Sequence, residues 1–298
     1  MVPLRLLSEL LPHYKKFRNI IKTVVLKSSR IFKSKDADVR SYRLIIASNR
    51  DEIYKRPASS ARYWEKNPEC LGGTDMEIGK EGGTWLALSI KGKAAVILNL
   101  HGEDVTEKER SPKKGRGHLI SNFITSNDSI ESYLNMLHKE NVNGQPYNPY
   151  CLVLLNLNNA NVHYLSSCTK STGPKICNSN VIGIGNSGLD YSYKKVEVGK
   201  EEFKHIVQDV DISKQDDLIE KLIYFLKSKK RYLPDDELQK RCPIRYENLS
   251  SIFVSGKEYG TRTHSILLID GSNHVTFVEE TLMPDFTWKR QQFQNELM

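Results

Sequence analysis

Four consecutive polar residues, Asn49-Arg50-Asp51-Glu52, follow directly on the apolar run Leu44-Ile45-Ile46-Ala47. A buried strand that delivers an amide, a guanidinium and two carboxylates at its end is a common way to build a site. The same residues also fit a plain strand exit, with Arg50 paired to a neighbouring carboxylate in a solvated turn. Pro57 stops regular structure soon afterwards. On these residues alone both readings stay open.

The elements that must hold such a site can be read from periodicity. Residues 44–47, with β-branched members, predict a buried strand. Trp85–Ile90 and Lys93–Leu100 predict an antiparallel hairpin about Lys91-Gly92, with Asn99 and His101 at its exit. Cys70–Thr74 and Gly79–Thr84 read as glycine-rich turns that let backbone come close to a neighbour. GKEGG lacks the Gly-Lys-Ser/Thr ending of a phosphate loop. Charged residues 103–116 predict an exposed loop, and helical patterns cover His118–Thr125 and Ser129–His138, the second capped by Ser129. A second hairpin is expected from Cys151–Leu157 and Val162–Ser166, then a strand Val181–Ile184 that delivers Asn186.

Helices should contain Phe203–Val207 and Leu218–Leu226, with Ser213 as a cap. Ser250–Val254, His264–Ile269 and His274–Glu279 read as closing strands, and Gly260-Thr261-Arg262-Thr263 leads into the middle one. Antiparallel hairpins interleaved with helices predict either facing sheets with helices outside or one mixed α+β sheet.

Composition narrows the function classes. The 298 residues carry a net charge of +8. Residues 1–35 hold nine basic residues and one acid, so 9 − 1 = +8 and the remaining 35 basic and 35 acidic residues cancel. A neutral body argues against nucleic acid. The basic amphipathic stretch at 4–27, kinked at Pro12, predicts organelle targeting, contact with an anionic membrane, or a helix packed on the body. Residues 1–40 therefore read as an extension and 41–298 as one domain. The five cysteines form no CxxC pair, which argues against a zinc site or a disulfide framework and suits a reducing compartment. No CxxCH haem-attachment motif occurs.

NRDE at 49–52, Arg56-Pro57, GKEGGTWLALS at 79–89, GRG at 115–117 and YGTRTHSILLID at 259–270 resemble the blocks of the transport and Golgi organisation protein 2 family, over about residues 32–290. The resemblance implies a four-layer αββα sandwich like that of N-terminal-nucleophile hydrolases. It also implies an intracellular trafficking role in haem mobilisation, acyl-CoA and lipid handling, Golgi organisation and secretion, at cytoplasmic, Golgi and mitochondrial locations. Haem or acyl-CoA would then be carried, with no stably bound cofactor and no metal.

By the same analogy Arg50 and Asp51 correspond to the first catalytic pair of choloylglycine-type hydrolases. Asn99 or Asn186 would donate to an oxyanion, and Arg262 would be the late arginine. With Asn49 and Glu52 these residues make a candidate ligand cleft. Family members begin Met-Cys at the first strand. Here that region reads Ser28-Ser29-Arg30-Ile31-Phe32, behind the basic segment, and no cysteine precedes Cys70. The expectation is a binder rather than an enzyme. The alternatives are an amidohydrolase activated by removal of residues 1–27 or 1–28, which would free an N-terminal serine, and a Golgi-surface adaptor without a small-molecule ligand.

Overall fold

A computed structural model describes residues 27–34, 37–101, 113–144, 146–168, 172–189 and 192–298. The chain runs β1 (Lys27–Lys33), β2 (Tyr42–Ile53), β3 (Ala58–Trp64), β4 (Asn67–Asp75), β5 (Leu86–Ser89) and β6 (Lys93–Asn99). Helices α1 (His118–Thr125) and α2 (Ile130–Gly144) lead to β7 (Tyr150–Asn156), β8 (Asn161–Ser166), β9 (Lys175–Ile176) and β10 (Val181–Ile184). Then come α3 (Lys194–Val207), α4 (Gln215–Leu226), and the short α5 (Asp236–Arg241) and α6 (Tyr246–Leu249). The chain closes with β11 (Tyr259–Asp270), β12 (His274–Leu282) and β13 (Trp288–Glu296).

Two antiparallel sheets result. One has the order β10-β1-β2-β11-β12-β13 and the other runs β3 to β9 in sequence order. Alternation along β2 shows why they face each other. Leu44 and Ile46 pack between the sheets with Leu71, Leu86, Val96 and Val153. Ile45 and Ala47, on the opposite face, pack against Phe203 of α3 and Leu218 and Leu222 of α4. On the second sheet, Ala87, Ala95, Ile97 and Leu152 meet Leu119 and Phe123 of α1 and Leu134 of α2. Each sheet is apolar on both faces, so each needs a partner sheet and a helix layer. The architecture is a four-layer αββα sandwich.

Several sequence expectations shift. The basic amphipathic stretch at 4–27 lies outside the described residues except for Lys27. The sheet takes in Lys27–Lys33, which the sequence reading leaves in the 1–40 extension, and β1 is hydrogen-bonded between β10 and β2. Cys70–Thr74 is strand, not turn. A Cβ on Gly73 would lie 2.5 Å from the Trp85 ring and one on Gly72 would lie 2.7 Å from the Leu86 carbonyl oxygen, so these glycines admit close packing rather than a reversal. Ser250–Val254 forms no strand; it carries an isolated bridge from Ser251 to Arg231 and meets β2 and β11 through Ile252 and Val254. Ser213 does not cap α4. It gives its N–H to Asp211, which caps a short 3-10 turn before the helix.

Candidate functional site

The alternation that builds the β2 core continues through its polar end and sends the four residues in two directions. Asn49 and Asp51 share a face with Ile45 and Ala47 and turn toward the helix layer. Asn49 Nδ2 donates to the carbonyls of Leu226 at 2.8 Å and Ile252 at 3.0 Å, and Asn49 Oδ1 lies 2.6 Å from His264 Nδ1. Asp51 accepts from the Thr261 hydroxyl at 2.6 Å, and that hydroxyl accepts from the Val254 N–H. Both side chains are consumed in tying the helix layer and the 250–254 segment to the sheet. They do not reach a cleft.

Arg50 and Glu52 face the other way, between the sheets. The Arg50 guanidinium lies 3.9 Å from the centroid of the Trp85 ring, and its Nη2 is 3.8 Å from Glu52. Arg50 is 4 % exposed, yet its guanidinium has no hydrogen-bond partner among the described residues. Burial holds its pKa below the usual arginine value, against the pull of Glu52. Glu52 is shared with Arg56 Nε at 3.7 Å, and Arg56 grips Asp75 through two hydrogen bonds of 3.2 and 2.6 Å. For Arg56, burial lowers the pKa, but the Asp75 hydrogen bond and Glu52 outweigh it and leave the group raised.

Arg262 enters from β11 at a register shift: Asp51 faces Thr261 and Arg50 faces Thr263, so Arg262 is the extra residue of a bulge. Its Nη1 donates to the carbonyls of Ile53 at 3.2 Å and Arg56 at 2.5 Å. Burial and the neighbouring Arg50 push its pKa down to about 10. It shapes the wall of the cleft from behind.

A cavity of about 160 Å³ opens at this point. Around Arg50, Glu52 and Trp85 it is lined by Arg56, Asp75, Lys80, Asn99, Lys113, Lys114 and Arg116, among others. Six cationic and two anionic side chains give the lining 6 − 2 = +4. Arg116 spends one hydrogen bond on the Pro149 carbonyl, at 2.9 Å, and burial pushes its pKa down to about 10. The two glycine-rich motifs meet here. Thr84 N–H donates to the Gly117 carbonyl, and a Cβ on Gly117 would sit 2.8 Å from the Thr84 nitrogen. Only glycine lets the segment carrying Arg116 lie this close to the segment carrying Trp85.

Asn99 lines the cavity. Asn186 does not; its Nδ2 donates 2.6 Å to the Asn99 carbonyl, and its own carbonyl accepts from the His101 N–H. Asn186 thus positions the β6 exit. Of the seven candidate residues, Arg50, Glu52 and Asn99 line the cleft, Arg262 and Asn186 brace it, and Asn49 and Asp51 belong to the opposite layer. Arg56, Asp75, Lys80, Trp85 and Arg116 were not among the candidates. Their signal was present: all but Asp75 lie inside the motif blocks Arg56-Pro57, GKEGGTW and GRG.

His101 Nδ1 lies 3.1 Å from the Tyr193 hydroxyl and 3.4 Å from the Cys242 thiol. Burial, with Lys195 and three arginines around it, pushes His101 down to about 3. Burial pushes the thiols of Cys70, Cys177 and Cys242 up to about 11, so each stays protonated at neutral pH. Among the described residues no cluster of three or more His, Cys, Asp or Glu could hold a metal ion. A larger groove of about 760 Å³ lies along α2, lined mainly by exposed residues such as Asn135, Met136 and Lys139. It carries no buried charge, whereas the buried side chains of Arg50 and Glu52 line the smaller cavity.

A family model described as Transport and Golgi organisation 2 matches residues 30–284. The chain is 32% identical over 259 residues to the Transport and Golgi organization 2 homolog of Mus musculus, covering 85% of this chain and 91% of the relative. It is 34% identical over 266 residues to Transport and Golgi organization protein 2 of Drosophila melanogaster, covering 86% and 93%. The Homo sapiens homolog is 33% identical over 259 residues, covering 85% and 91%. Among solved structures, a mutant conjugated bile acid hydrolase from Clostridium perfringens matches with a TM-score of 0.46 and 9% identity, over 91% of this chain and 92% of that one. At that score the likeness carries nothing about site or chemistry.

Proposed function

The chain belongs to the Transport and Golgi organisation 2 family, and from that premise we propose that its cleft holds the anionic head of a small molecule in intracellular transport. The observation that carries this reading is Arg50. A nearly buried guanidinium whose neighbouring carboxylate stands 3.8 Å away keeps donors for an acceptor in the cavity. Here it faces a cavity of net positive charge. Phosphate and carboxylate both fit its fork, and the Trp85 face keeps the fork oriented.

The candidate cargoes are acyl-CoA, through its phosphates, and haem, through its propionates. The cavity, about 160 Å³, is below the roughly 300–1,000 Å³ of a typical small-molecule pocket. It therefore takes a head group, with the apolar remainder of the cargo lying outside it. Titration of an acyl-CoA and of haem against the wild type, Arg50→Ala and Arg116→Ala tests the reading. Each substitution is expected to weaken binding by about 10–100-fold. No saturable binding of either compound by the wild type overturns it.

A second reading, an N-terminal-nucleophile amidohydrolase, is favoured by one observation. The β1–β2 register sets Lys27 opposite Arg50 and Ser28 opposite Asn49. A chain cleaved after residue 27 or 28 would therefore place a new α-amine at the mouth of the cleft. Intact-mass measurement on protein from its own cells decides between the two. A mature chain starting at Ser28 or Ser29 supports the hydrolase, and one starting at Met1 removes it. The third reading, a Golgi-surface adaptor reaching membrane through residues 4–27, leaves the cleft without a ligand and fails if either cargo binds saturably. No helix among the described residues is long and apolar enough to cross a membrane.

A further inference from the structure

Four strands end the two sheets, and three of them resist pairing with anything further. β9 has two residues and β10 has four. β3 pairs with β4 through two register shifts, which twist its edge. β13 is different. It runs nine residues, Trp288–Glu296, in unbroken register with β12 and pairs with no other described strand. It also lies beyond residues 30–284, the part matched by the family model. A long regular edge leaves a row of backbone donors and acceptors open to another strand.

The sequence of β13 is complementary to itself in the antiparallel sense. Its start is basic, Lys289-Arg290, its end is acidic, Glu296, and Gln291, Gln292, Gln294 and Asn295 fill the middle. Related by a two-fold axis perpendicular to the sheet, two copies can pair only in registers that keep like faces together. With the axis at Phe293, Arg290 of each copy meets Glu296 of the other, Gln291 meets Asn295, and Gln292 meets Gln294. A shift of the axis by one residue would set Arg290 opposite Gln294 and Trp288 opposite Glu296, and lose both charge pairs. Arg290 is already held in place by Glu220 of α4 and Glu280 of β12. Little side-chain entropy remains for it to lose on pairing.

The other face of the strand adds apolar area. Phe293 packs edge-on to Tyr63 of β3, with ring centroids 5.7 Å apart, and Asn295 donates to the Tyr63 hydroxyl. Tyr63 remains 37% exposed beside the open edge. Both sheets therefore end together on this side of the sandwich.

We propose that β13 is a homodimerisation edge, pairing antiparallel with β13 of a second copy about Phe293 to join two six-stranded sheets into one. Opposite-charge and aromatic cross-strand pairs supply specificity and the backbone ladder supplies affinity. A single strand pair is a small interface, so the dimer forms at roughly 10–100 µM.

Sedimentation equilibrium of the full chain over about 1–200 µM tests this. The wild type is expected to dimerise. Glu296→Lys sets like charges against each other twice, and is expected to raise the dimer dissociation constant at least about tenfold. Gln292→Cys with Gln294→Cys is expected to give a disulfide-linked dimer under mild oxidation, because opposite residues bring their Cα atoms to about 4.5–5.5 Å, within the reach of a disulfide. Neither single cysteine variant should do so. A monomer throughout the range overturns the proposal. So does a dimer that Glu296→Lys leaves unchanged and that the double cysteine variant fails to trap.

Discussion

Asn49 and Arg50 are adjacent in the chain and both buried, yet they live in opposite chemical conditions. Every polar atom of the Asn49 side chain has a partner in the helix layer or the neighbouring strand. Arg50, on the inter-sheet face, has a ring to lie on and a carboxylate at 3.8 Å but no hydrogen bond among the described residues. The first face is finished by folding, and the second, on the function proposed above, is completed by the anionic group of a ligand. A polar group saturated by its own chain stabilises the fold, whereas one held unsaturated at a cavity is poised to bind. The contrast separates two roles within one four-residue motif.

The largest expected effect tests the saturated face through pH. Burial pushes His264, the Asn49 partner, and His101 down to about 3. Each is neutral when folded and charges more readily when unfolded. Their stability contribution is therefore full above about pH 6.5 and is lost as pH falls from 6.5 toward 3. At pH 5 the loss is about 2 kcal/mol for each histidine, read as a fall in the urea midpoint. His264→Gln should flatten about half of that fall. An unchanged slope would break the assignment of His264 to a closed, water-free layer.

Next in size, Asn49→Ala leaves two buried carbonyls and one imidazole nitrogen unmet. It is expected to cost about 3 kcal/mol of stability in urea denaturation while folded protein keeps its ligand affinity. Loss of affinity at unchanged stability would instead put Asn49 in the cleft. Arg50→Gln should do the reverse. It weakens anion binding by about 10–100-fold and changes stability by less than about 1 kcal/mol, because the charge it removes was poorly compensated. A large destabilisation with normal binding would make Arg50 structural.

The smallest effect concerns Glu279, which lies on the inter-sheet face and accepts hydrogen bonds from Ala61 N–H at 2.6 Å and the Thr281 hydroxyl at 3.1 Å. Burial raises its pKa above the ordinary 4.5, against those bonds and the nearby Arg50. A raised carboxyl is fully stabilising below 4.5 and loses that contribution as pH rises above it toward the folded value. The sign is opposite to that of the histidines. Glu279→Gln should remove a shallow decline in the urea midpoint above pH 4.5, and an identical profile would mean that the carboxyl titrates normally.

Much of the fold was legible in the chain. The β5–β6, β7–β8 and β11–β12 hairpins follow from apolar runs broken by Lys91-Gly92, Asn158–Ala160 and Asp270-Gly271, and α1, α2 and α4 follow from apolar residues at helical spacing. β13 was not legible, because WKRQQFQNE has no apolar alternation. It is strand because β12 offers it a ladder. β1, which the family resemblance put at Ser28–Phe32, escaped the periodicity for a related reason: KSSRIFK continues a basic stretch without a boundary, and its place between β2 and β10 rests in part on pairing with residues as distant as Ile184. Glycine-rich CLGGT mimics a turn because what it accommodates, the Trp85 ring, comes from elsewhere in the sequence.

For the site, the sequence by itself determined its ingredients: NRDE at a strand end, and the later blocks that carry Arg56, Lys80, Trp85, Arg116 and Arg262. Those follow from residue identity and from a strand period of two, which are local properties. Only the tertiary structure decided which ingredients meet. The side-chain period puts Asn49 and Asp51 on one face and Arg50 and Glu52 on the other, but nothing local says which face meets a helix layer and which meets a charged cavity. That choice depends on the second sheet and the segment beside it, whose Trp85 and Arg116 close over Arg50 from 35 and 66 residues away in the chain. Burial, and with it every shifted pKa and unmet donor in the cleft, is set by that distant chain rather than by the motif.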